Sequence, residues 1–200
     1  FSSSIYLKIR FFKHIVNYIY VFKLTPFPTK MKTLNKIKRK KGLIIIIASI
    51  ILMSLLSLLT KYYGSSDTGD YTDTAKFFAG LFNAKLRTSH PVTYGLLHAP
   101  FIKFISSFWP FKVTTILWLS LLILSVYYMS NKNKKTLCLF VITPALWFMT
   151  PWISPVPLAT LLFLWAYYFV KKYDEENRLR YLIYSGLLIG LAWTVWEAII

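Results

Sequence analysis

Acidic residues are scarce in this chain, in which seven Asp and Glu stand against 24 Lys and Arg over 200 residues, for a net charge of +17. In a soluble protein such a balance would indicate nucleic-acid binding. Here the basic residues crowd beside long hydrophobic runs, and the sequence contains no nucleic-acid recognition motif. Membrane topology explains them better, so we expect membrane lipids and no nucleic acid as partners.

Cysteine is also nearly missing. The single residue, Cys138, lies inside an apolar run, so the chain can form neither an internal disulfide nor a thiolate metal site. Charged residues make up only 16% of the chain, while hydrophobic residues make up 56%. A soluble core could not absorb that much apolar surface, so the composition predicts an integral, multi-pass membrane protein.

Long apolar runs define the expected fold, an all-α polytopic protein of about five transmembrane spans. The first run carries no charge, and the prolines of residues 150–157 separate the third run from the fourth. The predicted spans are residues 43–59, 112–129, 136–150, 156–170 and 181–200.

The basic clusters orient these spans. Residues 30–41 contain a dense Lys/Arg block without an acid, and the turns at 131–135 and 171–180 are also basic. The positive-inside rule places all three clusters, and with them the N-terminus, in the cytoplasm. Residues 60–111 then form an extracytoplasmic first loop. We expect residues 1–30 to be an N-terminal extension before a natural start at Met31, and residues 31–200 to be part of a longer transmembrane domain.

The outer loop carries three carboxylates within seven positions, Asp67, Asp70 and Asp73. An apolar stripe at helical spacing follows them and predicts an amphipathic helix lying on the membrane, with Asp67 or Asp70 as its cap. The stripe comprises Tyr71, Ala75, Phe78 and Phe82, widened by Phe77 and Leu81. The aromatic run 101–109 also suits a bilayer interface.

The spacing of Asp67, Tyr71, Ala75 and Gly80 resembles the first outer loop of the GT-C superfamily of membrane glycosyltransferases. In that superfamily, which includes the protein O-mannosyltransferases and the lipid A aminoarabinose transferase, an acid is followed by a tyrosine four positions on and an alanine eight positions on. The charged turn and G-x-x-x-G-L helix within 171–198 are also similar, although small-xxx-small patterns serve general helix packing. The resemblance covers about residues 36–200. Many relatives place a second acid directly after the first, whereas Thr68 stands here.

The resemblance implies an inverting glycosyltransferase at the extracytoplasmic face of a multi-pass protein, with the plasma membrane of a prokaryote as the expected location. A polyprenyl-phosphate-linked sugar would be the donor, and a lipid, a glycan or a protein the acceptor. Asp67 is the expected general base, and Asp70 is the other catalytic candidate. Asp70 and Asp73 could instead orient the acceptor or, with Asp67, hold a divalent cation, so the metal requirement stays open.

Cations suited to the donor phosphate are Lys85 and Arg87, of which Arg87 offers bidentate contact. His90 could bind acceptor or metal, as could His98, but their separation is no recognised ligand pattern. The candidate substrate-binding residues are Tyr71, Asp73, Lys85, Arg87, His90, Tyr94 and Glu197. The simpler interpretation is that the acids cap a helix or are solvated, that the cations reach lipid headgroups, and that Glu197 lies in the outer interface.

The alternative function is a multispan transporter or another non-enzymatic membrane protein. A transporter should place polar or broken helices near the middle of the membrane. Apart from Pro144, the predicted spans show no such feature. A membrane polymerase or ligase of surface polysaccharide would share the lipid-linked substrates, but its key residues would lie in a later outer loop.

Overall fold

A computed structural model describes residues 36–60, 67–81, 86, 90–105 and 108–196, with side chains from residue 42 in the first helix and from residue 68 in the second. These residues form eight helices, and none of them is in a strand, so the all-α prediction is confirmed for the described chain. The helices are α1 (Lys36–Leu59), α2 (Asp67–Phe78), α3 (Thr93–Phe104), α4 (Trp109–Met129), α5 (Lys134–Ile142), α6 (Pro144–Met149), α7 (Val156–Glu176) and α8 (Leu179–Val195).

Two helices are long and apolar enough to cross a membrane: α1, over Gly42–Leu59, and α4. Both helices end at the residues predicted from the apolar runs, Leu59 and Met129. Helix α4 begins earlier than predicted, however, because Pro110 lies in its first turn. A proline is tolerated there because the first turn needs no backbone N–H donor, so Pro110 starts the helix instead of ending the preceding segment.

The other predicted spans take different lengths. The third is divided into α5 and α6 at Thr143, whose extended ψ of 121° is the conformation favoured before a proline. Helix α7 begins at Val156 as predicted but continues to Glu176, where Asn177 ends it in a left-handed conformation with φ of 49°. Helix α8 then packs along α7. Together α7 and α8 form an antiparallel hairpin.

Helices α1 and α4 run antiparallel. Near the start of α1, Gly42 lies against Tyr127 near the end of α4, and a Cβ atom at Gly42 would approach the Tyr127 hydroxyl oxygen to 2.5 Å. At the opposite end, Lys112 Nζ donates hydrogen bonds to the carbonyl oxygens of Ser57, at 2.7 Å, and Thr60, at 2.5 Å. Because the C-terminus of a helix carries partial negative charge, this buried ammonium group stabilises the end of α1.

Replacing Lys112 with methionine should therefore loosen the contact between α1 and α4. Methionine keeps the apolar stem but removes the donors, so we expect the free energy of unfolding to fall by about 1–3 kcal/mol. Reversible unfolding in mixed detergent micelles would measure the change. Lys103→Met, at an exposed position of α3, is the matched control and should change it by less than about 0.5 kcal/mol. Equal stability of the two variants would contradict the capping role.

The predicted surface stripe of α2 packs inward. Tyr71 is 4% exposed and Ala75 is fully buried, and both belong to a core cluster that includes residues of α3, α4, α7 and α8. Phe77 and Phe78 remain exposed, while Phe82 lies outside the described residues. Helical spacing identifies an apolar face but not its neighbour, and here the neighbour is α3 rather than lipid.

Helix α3 lies within the predicted outer loop and includes the first part of the aromatic run 101–109. It spans 12 residues with Pro100 inside it, about 18 Å and thus too short to cross a bilayer. Its inner face is buried against α2 and α4, yet its outer face is also apolar. The exposed large apolar side chains on it are Leu96, Leu97, Phe101 and Phe104.

Candidate functional site

Basic residues collect at one end of the helix bundle, which we call the lysine end. The turn between α4 and α5 contributes Lys132, and the last part of α7 reaches the same level, since Trp165 and Tyr168 contact Tyr128 near the end of α4. Gly42, against Tyr127, brings the start of α1 there too. Two acids of α7 at this end, Glu175 and Glu176, each lie 3.3 Å from Lys172.

The opposite end, which we call the α2 end, holds α2, α3 and the first turns of α4. The Thr68 hydroxyl donates to the carbonyl oxygen of Ile153 at 3.3 Å, and the Thr115 hydroxyl donates to that of Trp152 at 3.2 Å. Val195, the last residue of α8, belongs to the same core cluster as Tyr71. The three clustered acids of the sequence therefore lie at the opposite end of the bundle from the lysine end.

Asp70 and His90 form the polar pair at the α2 end. The Oδ2 atom of Asp70 lies 3.8 Å from Nε2 of His90, and the two side chains are 26% and 17% exposed. The ring of Tyr71 lies 5.5 Å from that of His90 and 5.3 Å from that of Tyr94, measured between centroids. Four predicted site residues thus come together, with the ionisable pair facing outward and the tyrosines inward.

Tyr94 supports the site from inside rather than lining it. Its ring is completely buried between Tyr71, His98 and Phe111. Burial raises the pKa of Tyr94 far above its usual value, so the hydroxyl stays protonated. That hydroxyl lies beside Thr115 but makes no hydrogen bond of good geometry. The structure places Tyr94 in the core, where no part of its ring reaches the surface, and its predicted role in substrate binding stays a prediction.

His98 is a structural residue. Its ring stacks on Phe111 with centroids 4.2 Å apart, and only 1% of the residue is exposed. Burial lowers the pKa of His98 to about 4, so the ring is neutral at pH 7. Nδ1–H donates to the carbonyl oxygen of Tyr94 at 2.7 Å, which leaves Nε2 as the acceptor for the Thr114 hydroxyl at 2.6 Å. With both nitrogens bonded, His98 is not available to a metal or an acceptor.

Of the remaining predicted site residues, only Asp73 has a side chain within the described part of the chain. Asp73 lies 4.0 Å from Lys76 on its own helix, at 34% exposure. Asp67 is the first residue of α2, but its side chain is outside the described part of the chain, as are Lys85, Arg87 and Glu197. Within the described ranges no three His, Cys, Asp or Glu side chains converge as a metal site would require.

Sequence reasoning missed the residues that hold this site together. A Cβ atom at Gly95 would come within 2.7 Å of Thr74 Cγ2 and 3.1 Å of the Tyr71 carbonyl oxygen, so glycine allows α3 to lie directly on α2. On α4, the Thr114 hydroxyl holds the ring of His98 in place through its 2.6 Å hydrogen bond to Nε2. A single glycine or threonine inside an apolar run carries no periodic signal, so only the folded contacts identify them.

Comparisons of the chain with family models, with curated proteins and with solved structures found no match. The likeness to GT-C glycosyltransferases therefore depends on the sequence alone, on the spacing of Asp67, Tyr71, Ala75 and Gly80 and on the charged turn and helix within 171–198.

Proposed function

We propose that the protein is a GT-C-type membrane glycosyltransferase that moves a sugar from a polyprenyl-phosphate donor to a lipid, glycan or protein acceptor at the extracytoplasmic face. The observation that carries the proposal is the partly exposed Asp70 carboxylate beside His90 at the α2 end of a largely apolar helix bundle. An ionisable pair at that level suits an enzyme whose substrates are anchored in lipid.

The orientation in the membrane follows from charge. The lysine end would face the cytoplasm and the α2 end the outside, in agreement with the positive-inside rule. In addition to α1 and α4, the α5–α6 segment, α7 and α8 each run between the two ends, which supports the proposal of about five spans. The apolar outer face of α3 lies next to the start of α4, where it would meet lipid at the outer surface.

The chemistry requires a base. As the acceptor hydroxyl oxygen attacks the anomeric carbon, its proton passes to the base, and the bond between that carbon and the phosphate oxygen breaks. The polyprenyl phosphate leaves with the electron pair, and the sugar carbon is inverted. Asp67 and Asp70, one helical turn apart on α2, are the carboxylates proposed for this work. A positioned base contributes about 10²–10⁴-fold to such a step. Lys85 and Arg87 are proposed to bind the donor phosphate.

A transporter is the second candidate, favoured by one observation. The helix break between Ile142 and Pro144, at the junction of α5 and α6, is the kind of interruption that transporters use for substrate binding. The two functions are separable, because only the transferase consumes the lipid-linked donor.

An assay of the full chain in membranes tests the transferase proposal. The donors are a panel of radiolabelled sugars linked to polyprenyl phosphate. Release of polyprenyl phosphate and transfer of label would be followed for wild type, Asp67→Asn and Asp70→Asn at matched expression. At least one substitution should lower kcat by about 10²-fold or more, because the base is lost. Asp174→Asn, the same exchange at the lysine end, is the control and should keep full activity. Robust transfer unaffected by either α2 substitution would contradict the mechanism.

A further inference from the structure

The contact between Asp70 and His90 allows catalytic roles to be assigned more specifically than the sequence allowed. We propose that His90 is the proton acceptor of the transfer and that Asp70 orients and stabilises its imidazole. This inference rests on the proposed function and adds a catalytic residue to its site. It differs from the expectation based on family resemblance, in which the base is a carboxylate, with Asp67 expected and Asp70 as the other candidate.

The position of His90 is set by packed helices. Its ring contacts Tyr71, and Tyr71 is held in turn by an edge-to-face contact with Tyr94 in the core. Helices α2 and α3 approach so closely that a Cβ atom at Gly95 would lie 2.7 Å from Thr74 Cγ2. Asp70 on α2 and His90 just before α3 are thereby held near each other. A catalytic pair needs this kind of rigid support, because small displacements cost large factors in rate.

The other ionisable residues described at the α2 end have different roles. His98 is buried with both nitrogens bonded, so it cannot exchange a proton with a substrate. Asp73 faces Lys76 one turn along its own helix, as a solvated ion pair would. Within the described ranges, Asp70 and His90 alone combine a carboxylate, an imidazole and partial exposure.

A carboxylate beside an imidazole is a common proton-transfer arrangement. The 3.8 Å separation of Oδ2 and Nε2 exceeds a hydrogen bond, but such contacts are often long before substrate binds and shorten in the complex. With Nε2–H directed at Asp70, Nδ1 would take the proton of the acceptor hydroxyl while its oxygen bonds to the anomeric carbon. The donor C–O bond breaks in the same step, polyprenyl phosphate departs as an anion, and His90 later returns the proton to water.

Chemical rescue tests this assignment. His90→Ala, in membranes with the labelled polyprenyl-phosphate donor, should lower kcat by about 10²-fold with little change in KM, because the base and not the binding surface is removed. Added imidazole at constant pH should restore at least a tenth of the wild-type rate by occupying the vacated space. His90→Gln, which cannot admit imidazole, should be equally slow and not restored. The unfolding midpoint of each variant in detergent shows whether the fold is retained.

The outcomes separate the two proposals. Wild-type transfer with an equally active His90→Ala variant would overturn the role of His90 and leave the transferase function standing. A slow, folded His90→Ala variant that imidazole does not restore would also overturn it as proton acceptor. Loss of activity confined to Asp67→Asn would return the base to that carboxylate. A wild-type protein that consumes no donor of the panel would overturn the transferase function, and this assignment with it.

Discussion

Valine in place of Gly95 is expected to lower the free energy of unfolding by about 3 kcal/mol, the upper part of the range for overpacked cores. A Cβ atom alone would lie 2.7 Å from Thr74 Cγ2, 2.9 Å from Thr74 Cβ and 3.1 Å from the Tyr71 carbonyl oxygen. The third of these atoms is backbone, which cannot move without displacing α2. We therefore expect α3 to shift away from α2. Reversible unfolding in mixed detergent micelles, followed by tryptophan fluorescence, measures the loss.

Gly69 provides the matched control for this substitution. It lies on α2, and no atom stands within 4 Å of the place where its Cβ would be. Gly69→Ala should keep or raise stability by up to about 1 kcal/mol, because alanine favours the helix. Combining Gly95→Ala with Thr74→Ser, which removes the nearest methyl group, should recover part of the stability lost in Gly95→Ala. A Gly95→Val protein as stable as wild type would show that α2 and α3 do not pack closely.

Acid should destabilise the protein through His98. The pKa of this residue falls from an ordinary 6.5 to about 4 because the folded chain buries the ring. The unfolded chain therefore binds the proton more readily, and stability present above pH 6.5 is lost as the pH falls toward 4. Below about pH 4 both states are protonated, and the loss is complete. The difference between the two pKa values corresponds to about 3 kcal/mol.

The contribution of His98 can be separated from that of other groups by substitution. The total slope of stability against pH is the sum over all ionisable residues of the chain. His98→Gln removes one of them. Between pH 7 and pH 4, the free energy of unfolding of this variant should fall by about 3 kcal/mol less than that of wild type. Unfolding measured at several pH values in that interval provides the comparison. Parallel curves for the two proteins would contradict the buried, neutral state of His98.

Local pattern predicted several boundaries of the long helices. The end of α1 at Leu59, the end of α4 at Met129 and the start of α7 at Val156 all lie where the apolar runs and prolines placed them. Such boundaries depend on residues near in sequence, as in the first-turn position of Pro110 or the left-handed Asn177. The helix that carries the three acids was likewise predicted, from the apolar stripe that follows them.

The candidate site depended on contacts between residues far apart in the chain. Asp70 meets His90 across 20 positions, and Lys112 reaches the carbonyl oxygen of Ser57 across 55. Periodicity shows that Tyr71 belongs to an apolar face, but the same pattern fits lipid and protein equally. Only the close approach at Gly95 decides that this face meets α3. Composition and helix length are thus properties of the sequence, because each residue contributes to them locally. The partner of a side chain is a property of the fold, because it depends on which helices lie together.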